Sequence, residues 1–502
     1  MPSFDDVQTT KVGSAGLVLL PSDKQQSPWI ENLTKDTDGS WIPRFGLKLI
    51  KDYDGDRIAM LGSAYQAKSD IQRHIIYVVT EEPKLYKGSM NTIASDSGTS
   101  LDAGLTAGDF SGEQKNASVA VGTSENPTLT ERRVCFAWQG IGGFDDPQVY
   151  DQTGNKVLTG GSDPVKGIPF AHGNTLCFLQ KATIAWCAYG NAYDLDNFDS
   201  YFTFLPPEIG EGVGAFYWQE DVTYILGTTG AAIMQGSPLE QSLRFRVLTA
   251  PPAALGSAAC FARCRDRLFY LSPGPSIFLV GGGLQRVDQP IFSLLKRESA
   301  DVSDYQMFYD PLIDCLCVAP YVSGGPNYTY LYSIAESRWI GIYSHADDER
   351  SICKAVNAGG LTDDDEEYRN RSPFACVVVA AGDLLSHYDS SVYGDELAAG
   401  TPTAFPCALE TAPEGADQSP FVLKQLLGVY VDGTGTWTVK LKTRDGGGAY
   451  TTTTIGSVSA PGWVHASLET PSYSERIVRC EASSASGVRI KSMTIREGLL
   501  GG

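Results

Sequence analysis

The chain is predicted to be all-β: a propeller of five to seven blades, preceded by an extended arm and followed by a β-sandwich. Three observations carry that expectation. Fifty-three Gly and 27 Pro are interspersed with 24 Tyr and 20 Phe over 502 residues, the composition of many turns joined by aromatic-bearing strands. Helical periodicity is scarce, and its best instance is the short stretch QPIFSLLKRES, Gln289 to Ser299. A pattern of short paired strands also recurs through the middle of the chain.

That pattern is clearest from Tyr305 to Ser344, YQMFYDPLIDCLCVAPYVSGGPNYTYLYSIAESRWIGIYS. The runs DCLCVAPY and YTYLYSIA are rich in aromatic and β-branched residues and are separated by SGGPN, which turns a chain but cannot continue a strand. Trp339 and Ile340 then restart an apolar strand. The unit is therefore one antiparallel sheet of three to four strands over roughly forty residues, the size of a propeller blade. A similar closing strand and turn recurs at 83–88, 147–154, 181–191, 228–237, 275–283, 329–337 and 383–391. More apolar strands such as RRVCFAWQ, DVTYILGT and FACVVVAAG precede them. The spacing, roughly 36 to 64 residues, brackets a propeller repeat, and a pair of β-sandwiches is the alternative.

In chain order, residues 1–45 are polar apart from GLVLL (Gly16 to Leu20) and read as an arm that orders only against something else. GLKLIKDYDGDRIAMLGS then predicts a hairpin around Asp54-Gly55, and RHIIYVVTEEPKLYKG a second pair around Glu81 to Pro83. Residues 89–118, rich in Ser, Gly and Asp, are expected to form a long exposed insertion. The acidic run Asp363 to Glu367 reads as a solvated loop tip, because adjacent acids without spaced Gly or carbonyl donors do not make a calcium loop. The propeller is placed over 46–400. From Thr401, TPTAFPCALETAPEGADQSP is linker-like, and about six strands follow with turns at Asp432-Gly433 and Asp445-Gly446, a sandwich over 401–502.

A formal charge of −20 and a pI near 4.7 argue against gripping nucleic acid by its phosphates, which needs a basic face. They are compatible with a wall along which DNA slides without sticking. Eleven Cys, an odd count without paired C-x2-C spacing, suit buried thiols in a reducing cytoplasm, with Cys315 and Cys317 pointing the same way from one strand. No signal-peptide pattern and no run of 18 apolar residues is present, so the expectation is cytoplasmic synthesis and no membrane insertion. None of the five His lies in H-E-x-x-H, and neither G-x-S-x-G nor a Walker loop occurs. His172 is expected at a turn or core edge, and Gly281 to Gly283 in a turn. DYDGDR (Asp52, Asp54, Asp56) lacks the glutamate of a calcium loop. No catalytic, cofactor or metal residues are assigned.

Four stretches taken in order then carry a resemblance: SPWIENLTKDTDGSWIPRFGLKLI; HIIYVVTEEPKLYKG; WQEDVTYILGTTGAAIMQGS with CFARCRDRLFYLSPGPSIFLVGGGLQRV; and FYDPLIDCLCVAPY with YTYLYSIAESRWIGIYS. With the closing FVLKQLLGVYVDGTGTWTVKLKTRDGG and VRIKSMTIRE, the chain resembles the propeller-bearing tail proteins of short-tailed bacteriophages, the hub or packaged-DNA stabilisation protein and the related tail nozzle. The resemblance spans nearly the whole chain. It implies a structural virion protein, not an enzyme, assembled in the host bacterial cytoplasm as a homo-oligomeric ring of six copies below portal and adaptor. Such a ring continues the DNA channel, passes double-stranded DNA without sequence preference, retains the genome and holds tail fibres or a needle. The arm and the 89–118 loop are expected to order on neighbouring subunits, with Trp29, Trp41 and Phe110 as candidate inter-subunit contacts.

The competing expectation is a carbohydrate-binding or glycan-degrading propeller acting on host polysaccharide, with Trp218, Tyr193 and Tyr201 as stacking platforms. Cleavage needs a carboxyl of raised pKa near a second one. The acids of NAYDLDNFDSY (Asp194, Asp196, Asp199) are candidates by number alone. The sialidase-type hairpin is approached only by DTDGSW at 36–41 and TRDGGGAY at 443–450, both outside the predicted blades.

Overall fold

The computed structural model describes residues 6–10, 17, 27–67, 72–80, 84–88, 92–100 and 118–500, except 124–131, 138, 141–142, 145–147, 151–155, 159–166, 173–174, 187–200, 220–221, 239, 255–260, 281–283, 299–301, 303–304, 321–326, 348–351, 358–375, 381, 390, 415–422, 445–448, 468 and 485–486. Of the expectations above, those on Phe110, Tyr193, Asp194, Asp196, Asp199, Gly281 to Gly283, the 363–367 run and Asp445-Gly446 lie outside the described residues.

Seven antiparallel four-stranded units follow one another and close into a β-propeller. Blade 1 is Ile58–Ala67, Gln72–Thr80, Lys84–Gly88 and Thr99–Ser100; blade 2 is Ser118–Thr123, Arg132–Ala137, Gln148–Tyr150 and Lys156–Leu158. Blade 3 is Ile168–His172, Thr175–Leu179, Thr183–Trp186 and Tyr201–Phe204; blade 4 is Gly212–Gln219, Val222–Gly227, Ala231–Gln235 and Arg244–Leu248. Blade 5 is Phe261–Cys264, Arg267–Leu271, Ile277–Val280 and Leu284–Arg286; blade 6 is Tyr305–Asp310, Cys315–Pro320, Tyr328–Ser333 and Arg338–Ser344. Blade 7 takes Ile352–Asn357, Cys376–Ala380 and Leu384–Asp389 from its own stretch and Gly46–Asp52 from the front of the ring.

The first strands of successive blades lie side by side around the axis. Blades 4 and 5 meet through Phe216 against Phe261, ring centroids 5.6 Å apart. The seven closing segments picked out in the sequence are the third strands of these seven blades. Interior strands are buried on both faces because a blade lies on either side. Cys315–Pro320 is buried throughout: Cys315, Cys317 and Ala319 pack with Leu47 and Leu384 of blade 7, while Leu316 and Val318 join the cluster of Phe269, Tyr332 and Trp339. The one expected helix forms as Phe292–Glu298, between blades 5 and 6.

The hairpin expected around Asp54-Gly55 does not form. Both residues turn the chain at positive φ, 54° and 85°, yet the strand before them finishes blade 7 and the strand after them starts blade 1. An unclosed ring leaves two bare sheet edges, and lending the first strand to the last blade covers them. A local turn signal carries no information about that gain. Of the stretch 89–118, the described part 92–100 is less open than expected: Ile93 is fully buried, and Thr99–Ser100 pairs with Lys84–Gly88 as the fourth strand of blade 1; 89–91 and 101–117 lie outside the described residues.

The sandwich is built from two sheets. One holds Leu423–Thr434, Arg489–Leu500 and Gly462–His465, joined by Asp6–Thr10 and the hairpin Leu33–Lys35 with Trp41–Pro43. The other holds Pro406–Glu410, Glu475–Ser483, Thr436–Arg444 and Thr451–Ser459. Val429, Val431, Trp437, Val439, Leu441, Val478, Cys480 and Met493 fill the space between. Two expectations change. The linker-like stretch contains a buried strand, because CALE alternates against both the arm and the sandwich. Asp432-Gly433 lies at a bulge inside a strand; the turn comes later, at Gly435 (φ 79°).

Candidate functional site

The arm is ordered against its own chain. Ile30–Glu31 pairs in parallel with blade 6 (Glu31 with Ile342) and antiparallel with the sandwich (Ile30 with Leu409), so one nine-stranded sheet runs from blade 6 into the sandwich. Backbone hydrogen bonds from Asn32 to Ile342 and from Glu410 to Trp29, 2.9 and 3.0 Å, extend the splice. The arm is thus a shared strand of two modules, and it leads directly into the strand that closes the ring.

Arg44 sits at that corner, fully buried. All five of its N–H donors find acceptors: Nε on Asn32 Oδ1 (3.0 Å), Nη1 on Phe45 O and Asp395 Oδ1 (both 2.9 Å), Nη2 on Ser344 O (2.9 Å) and Asp395 Oδ2 (2.6 Å). The guanidinium stacks over Phe405, 3.9 Å from the ring centroid. Burial acts to strip its proton, and the facing Asp395 carboxylate outweighs that and holds the charge. Asp395 also accepts from Leu47 N (3.2 Å) and Ala346 N (3.0 Å), while Asn32 donates to Ser344 Oγ and Pro406 O (both 2.7 Å). Arm, blade 6, blade 7 and sandwich therefore meet at one polar knot. Asn32 holds φ 52°, a left-handed conformation that Asn tolerates better than most residues.

A second buried network lies inside the sandwich. Arg476 donates to Glu497 and Glu414, Tyr473 Oη donates to Glu497 Oε1 (2.6 Å), and Lys424 approaches Glu497 at 3.5 Å. Burial pushes the Glu497 carboxyl up, but the Arg476 charge and hydrogen bond hold it below the usual range. Both networks tie strands together, their charged groups largely buried and paired with one another.

Two clefts flank the arm hairpin. One, of about 400 Å³, is lined by Lys35, Trp41 and Phe45 against Ile340, Tyr343 and Tyr388. The other, of about 280 Å³, lies between Phe45 and Tyr393, Val488 and Arg489. Among the described residues, the most exposed apolar side chains cluster elsewhere, on the outer strand of blade 3. Tyr201, Phe202 and Phe204 are 41%, 57% and 68% exposed, with Phe202 edge-on to Phe204 at 5.5 Å. Beside it, the outer strand of blade 4 exposes Arg244, Arg246 and Val247.

The residues singled out in the sequence fall into place as follows. Trp41 is buried in the chain's own core. Trp29 is partly buried, edge-on to Tyr328 at 5.2 Å, with its Nε1 donating to Glu31 Oε2 at 2.8 Å. Trp218 packs against Tyr224, centroids 5.5 Å apart, with Arg263 across it. His172 is buried between Thr223 Oγ1 and Gly236 O, both 2.7 Å away, a satisfied core histidine. In DTDGSW, Asp38 accepts from Ser40 N and Oγ (2.9 and 2.6 Å), and Arg489 bridges Asp36 and Asp38. Sequence reading missed Arg44, Asp395 and Asn32. The only signal was a lone Arg beside the start of the first blade strand, and its partner lies 351 positions away.

Among the described residues, no group of three or more His, Cys, Asp and Glu could hold a metal ion, and no helix is long and apolar enough to cross a membrane. Among the described residues, the carboxyls whose titration the structure displaces, Asp38, Asp389, Glu481 and Glu497, move down. Burial pushes the Cys407 and Cys480 thiols up to about 12, and Cys177, Cys264 and Cys315 higher still, which makes them poor nucleophiles.

No protein-family model and no curated protein matches the chain. Among solved structures it is similar to BBS1N in complex with ARL6DN, with 8% identity, coverage of 68% of this chain and 95% of that one, and a TM-score of 0.39. It is also similar to YjhT (11% identity, 59% and 99% covered, TM-score 0.31). A third similar structure is an exo-beta-1,3-galactanase from Phanerochaete chrysosporium with galactose (11%, 89% and 98%, 0.28). A glycoside hydrolase is thus among the similar structures, but likeness at these scores carries no argument about activity.

Proposed function

We propose that the chain is a structural assembly protein, the ring-forming hub or nozzle of a short-tailed phage tail, working through surfaces and not through chemistry of its own. The observation that carries the reading is the aromatic outer edge of blade 3. A bare edge strand with three exposed rings is a liability that soluble proteins normally blunt with charge. Leaving it apolar suits a surface covered in an assembly, and the shared-strand splice suits a subunit that must transmit load between ring and sandwich. The sequence resemblance points to the same class.

The geometry also bears on where DNA would run. The innermost strands of the seven blades hold one acidic residue, Asp310, and it is buried. Their first strands crowd the propeller's own axis. The conduit in this reading is therefore the lumen enclosed by several copies, walled by loops and outer strands, where the chain's excess of acids would keep DNA from sticking. Electron microscopy of the purified chain, alone and with a portal complex, tests the reading. Rings that the Phe202→Asp/Phe204→Asp variant cannot form support it, and monomers that never join a portal complex overturn it.

The second reading is a propeller that binds or cleaves host polysaccharide, favoured by the exposed Tyr201 ring. Release of reducing sugar from host polysaccharide would establish it.

A further inference from the structure

We infer that the outward face of one sandwich sheet is a glycan-binding platform centred on Trp463. Strand alternation separates this face cleanly. Val429, Val431, Val464, Met493 and Ile495 point into the core, so Gly428, Tyr430, Asp432, Trp463, His465, Thr494 and Arg496 point outward. Trp463 is 40% exposed, the only tryptophan among the exposed large hydrophobic side chains described.

The rings are arranged by the backbone beneath them. Tyr430 is the direct cross-strand partner of Trp463, and Gly428 that of His465. Trp463 and His465 lie parallel, 13° between planes and 6.1 Å between centroids, and Tyr430 meets Trp463 at 48° and 5.4 Å. A Cβ at Gly428 would come within 2.9 Å of Val464 O, and 3.4 Å from Trp463 and 3.6 Å from His465. The absent side chain therefore lets the strand Gly462–His465 lie close to its neighbour, with both rings at contact distance over the glycine.

The surroundings favour a sugar over a protein partner. A pyranose presents C–H groups on its faces and hydroxyls on its rim, so it needs an aromatic floor bordered by polar donors and acceptors. The border here is Asp432 on the adjacent strand and Ser492, Thr494 and Arg496 on the next strand over. A protein hot spot of this size is usually seated among apolar neighbours, whereas these four positions are polar or charged. The inference does not rest on ring assembly and can fail without it.

The test is affinity electrophoresis of the full chain through gels containing dextran, laminarin, a mannan, bacterial capsular polysaccharide or lipopolysaccharide. The expected result is retardation by at least one of them, weakened about tenfold or more by Trp463→Ala. Trp463→Phe should recover part of it. Gly428→Val should weaken it as well, by colliding with Val464 O and displacing the strand that carries both rings, while Leu284→Ser on blade 5, 39% exposed, leaves it unchanged. No retardation in any gel overturns the inference. So does retardation that survives Trp463→Ala, and so does a Trp463→Ala chain whose only defect is lost self-association, which would make the face a protein interface.

Discussion

Asp395→Ala is the sharpest perturbation of the knot at the arm. It removes two of the five hydrogen bonds of Arg44 and takes the acceptor from Leu47 N and Ala346 N, all in a fully buried setting. A buried cation left without its carboxylate typically costs about 3–5 kcal/mol, two to three and a half orders of magnitude in an unfolding constant. The loss should appear in the transition that opens blade 7, because Asp395 braces the strand closing the ring. Urea unfolding followed by tryptophan fluorescence reads it as a lower midpoint.

The control is the apolar pair Arg44→Met with Asp395→Leu. Replacing both members of a buried ion pair by well-packed side chains removes the uncompensated charge, so the double variant should recover part of what Asp395→Ala loses, with the bonds that Leu47 N and Ala346 N give Asp395 and that Ser344 O takes from Arg44 still lost. A single variant that costs less than about 1 kcal/mol, or a double variant as unstable as the two single losses added together, would refute the claim that this knot fixes the ring closure.

Two further outcomes follow from the titrating groups. Because the folded Glu497 carboxyl is held below its unfolded value near 4.3, its stabilisation is full above that pH and fades as pH falls through the lower folded value. Acid titration of Glu497→Gln should therefore start from lower stability at neutral pH and show a shallower decline below about pH 4. The buried thiols Cys177, Cys264, Cys315, Cys317, Cys407 and Cys480 should ignore a thiol reagent in the native chain and react once urea unfolds it; rapid native labelling of these positions would contradict their burial.

The blade pattern was legible because it is local. Each third strand, from Lys84–Gly88 to Leu384–Asp389, sits beside its partner in sequence and ends in, or is followed within four residues by, Gly, Ser or Asp, so periodicity and turn chemistry suffice. What escaped was long-range. Gly46–Asp52 reads locally as half of a hairpin, and only the geometry of a closed ring sends it to a strand more than 330 residues away. Cys407, Ala408 and Leu409 look like linker because their Pro-rich flanks dominate the texture, while their burial is decided by Ile30 and Glu31 from the other end of the chain. The same holds at the candidate sites. An exposed FTF cannot be told from a buried one by composition, and Trp463 acquires its ring neighbours only through the register that sets it opposite Tyr430.

The shared arm strand makes a final prediction about how the two modules stay together. A chain beginning at Gly46 retains the strand that closes blade 7 but loses Leu17, Ile30, Leu33 and Trp41, all buried, and with them the splice between Ile342 and Leu409. At about 1.5–3 kcal/mol for each large apolar side chain, the lost burial is on the order of 6–12 kcal/mol, as much as holds a typical domain folded. The ring keeps its closing strand but is weakened at that joint, because Arg44 is lost as well and Asp395 is left unpaired; the sandwich should come loose from blade 6, and protease should cut the stretch 399–405. A chain beginning at residue 27 is the control, since it keeps Ile30 through Arg44 and loses only the Leu17 contact and the Asp6–Thr10 strand. If the chain starting at Gly46 resists cleavage there and unfolds at the midpoint of the full chain, the arm is merely draped over a joint that other contacts hold, and its role as a common strand of ring and sandwich is wrong.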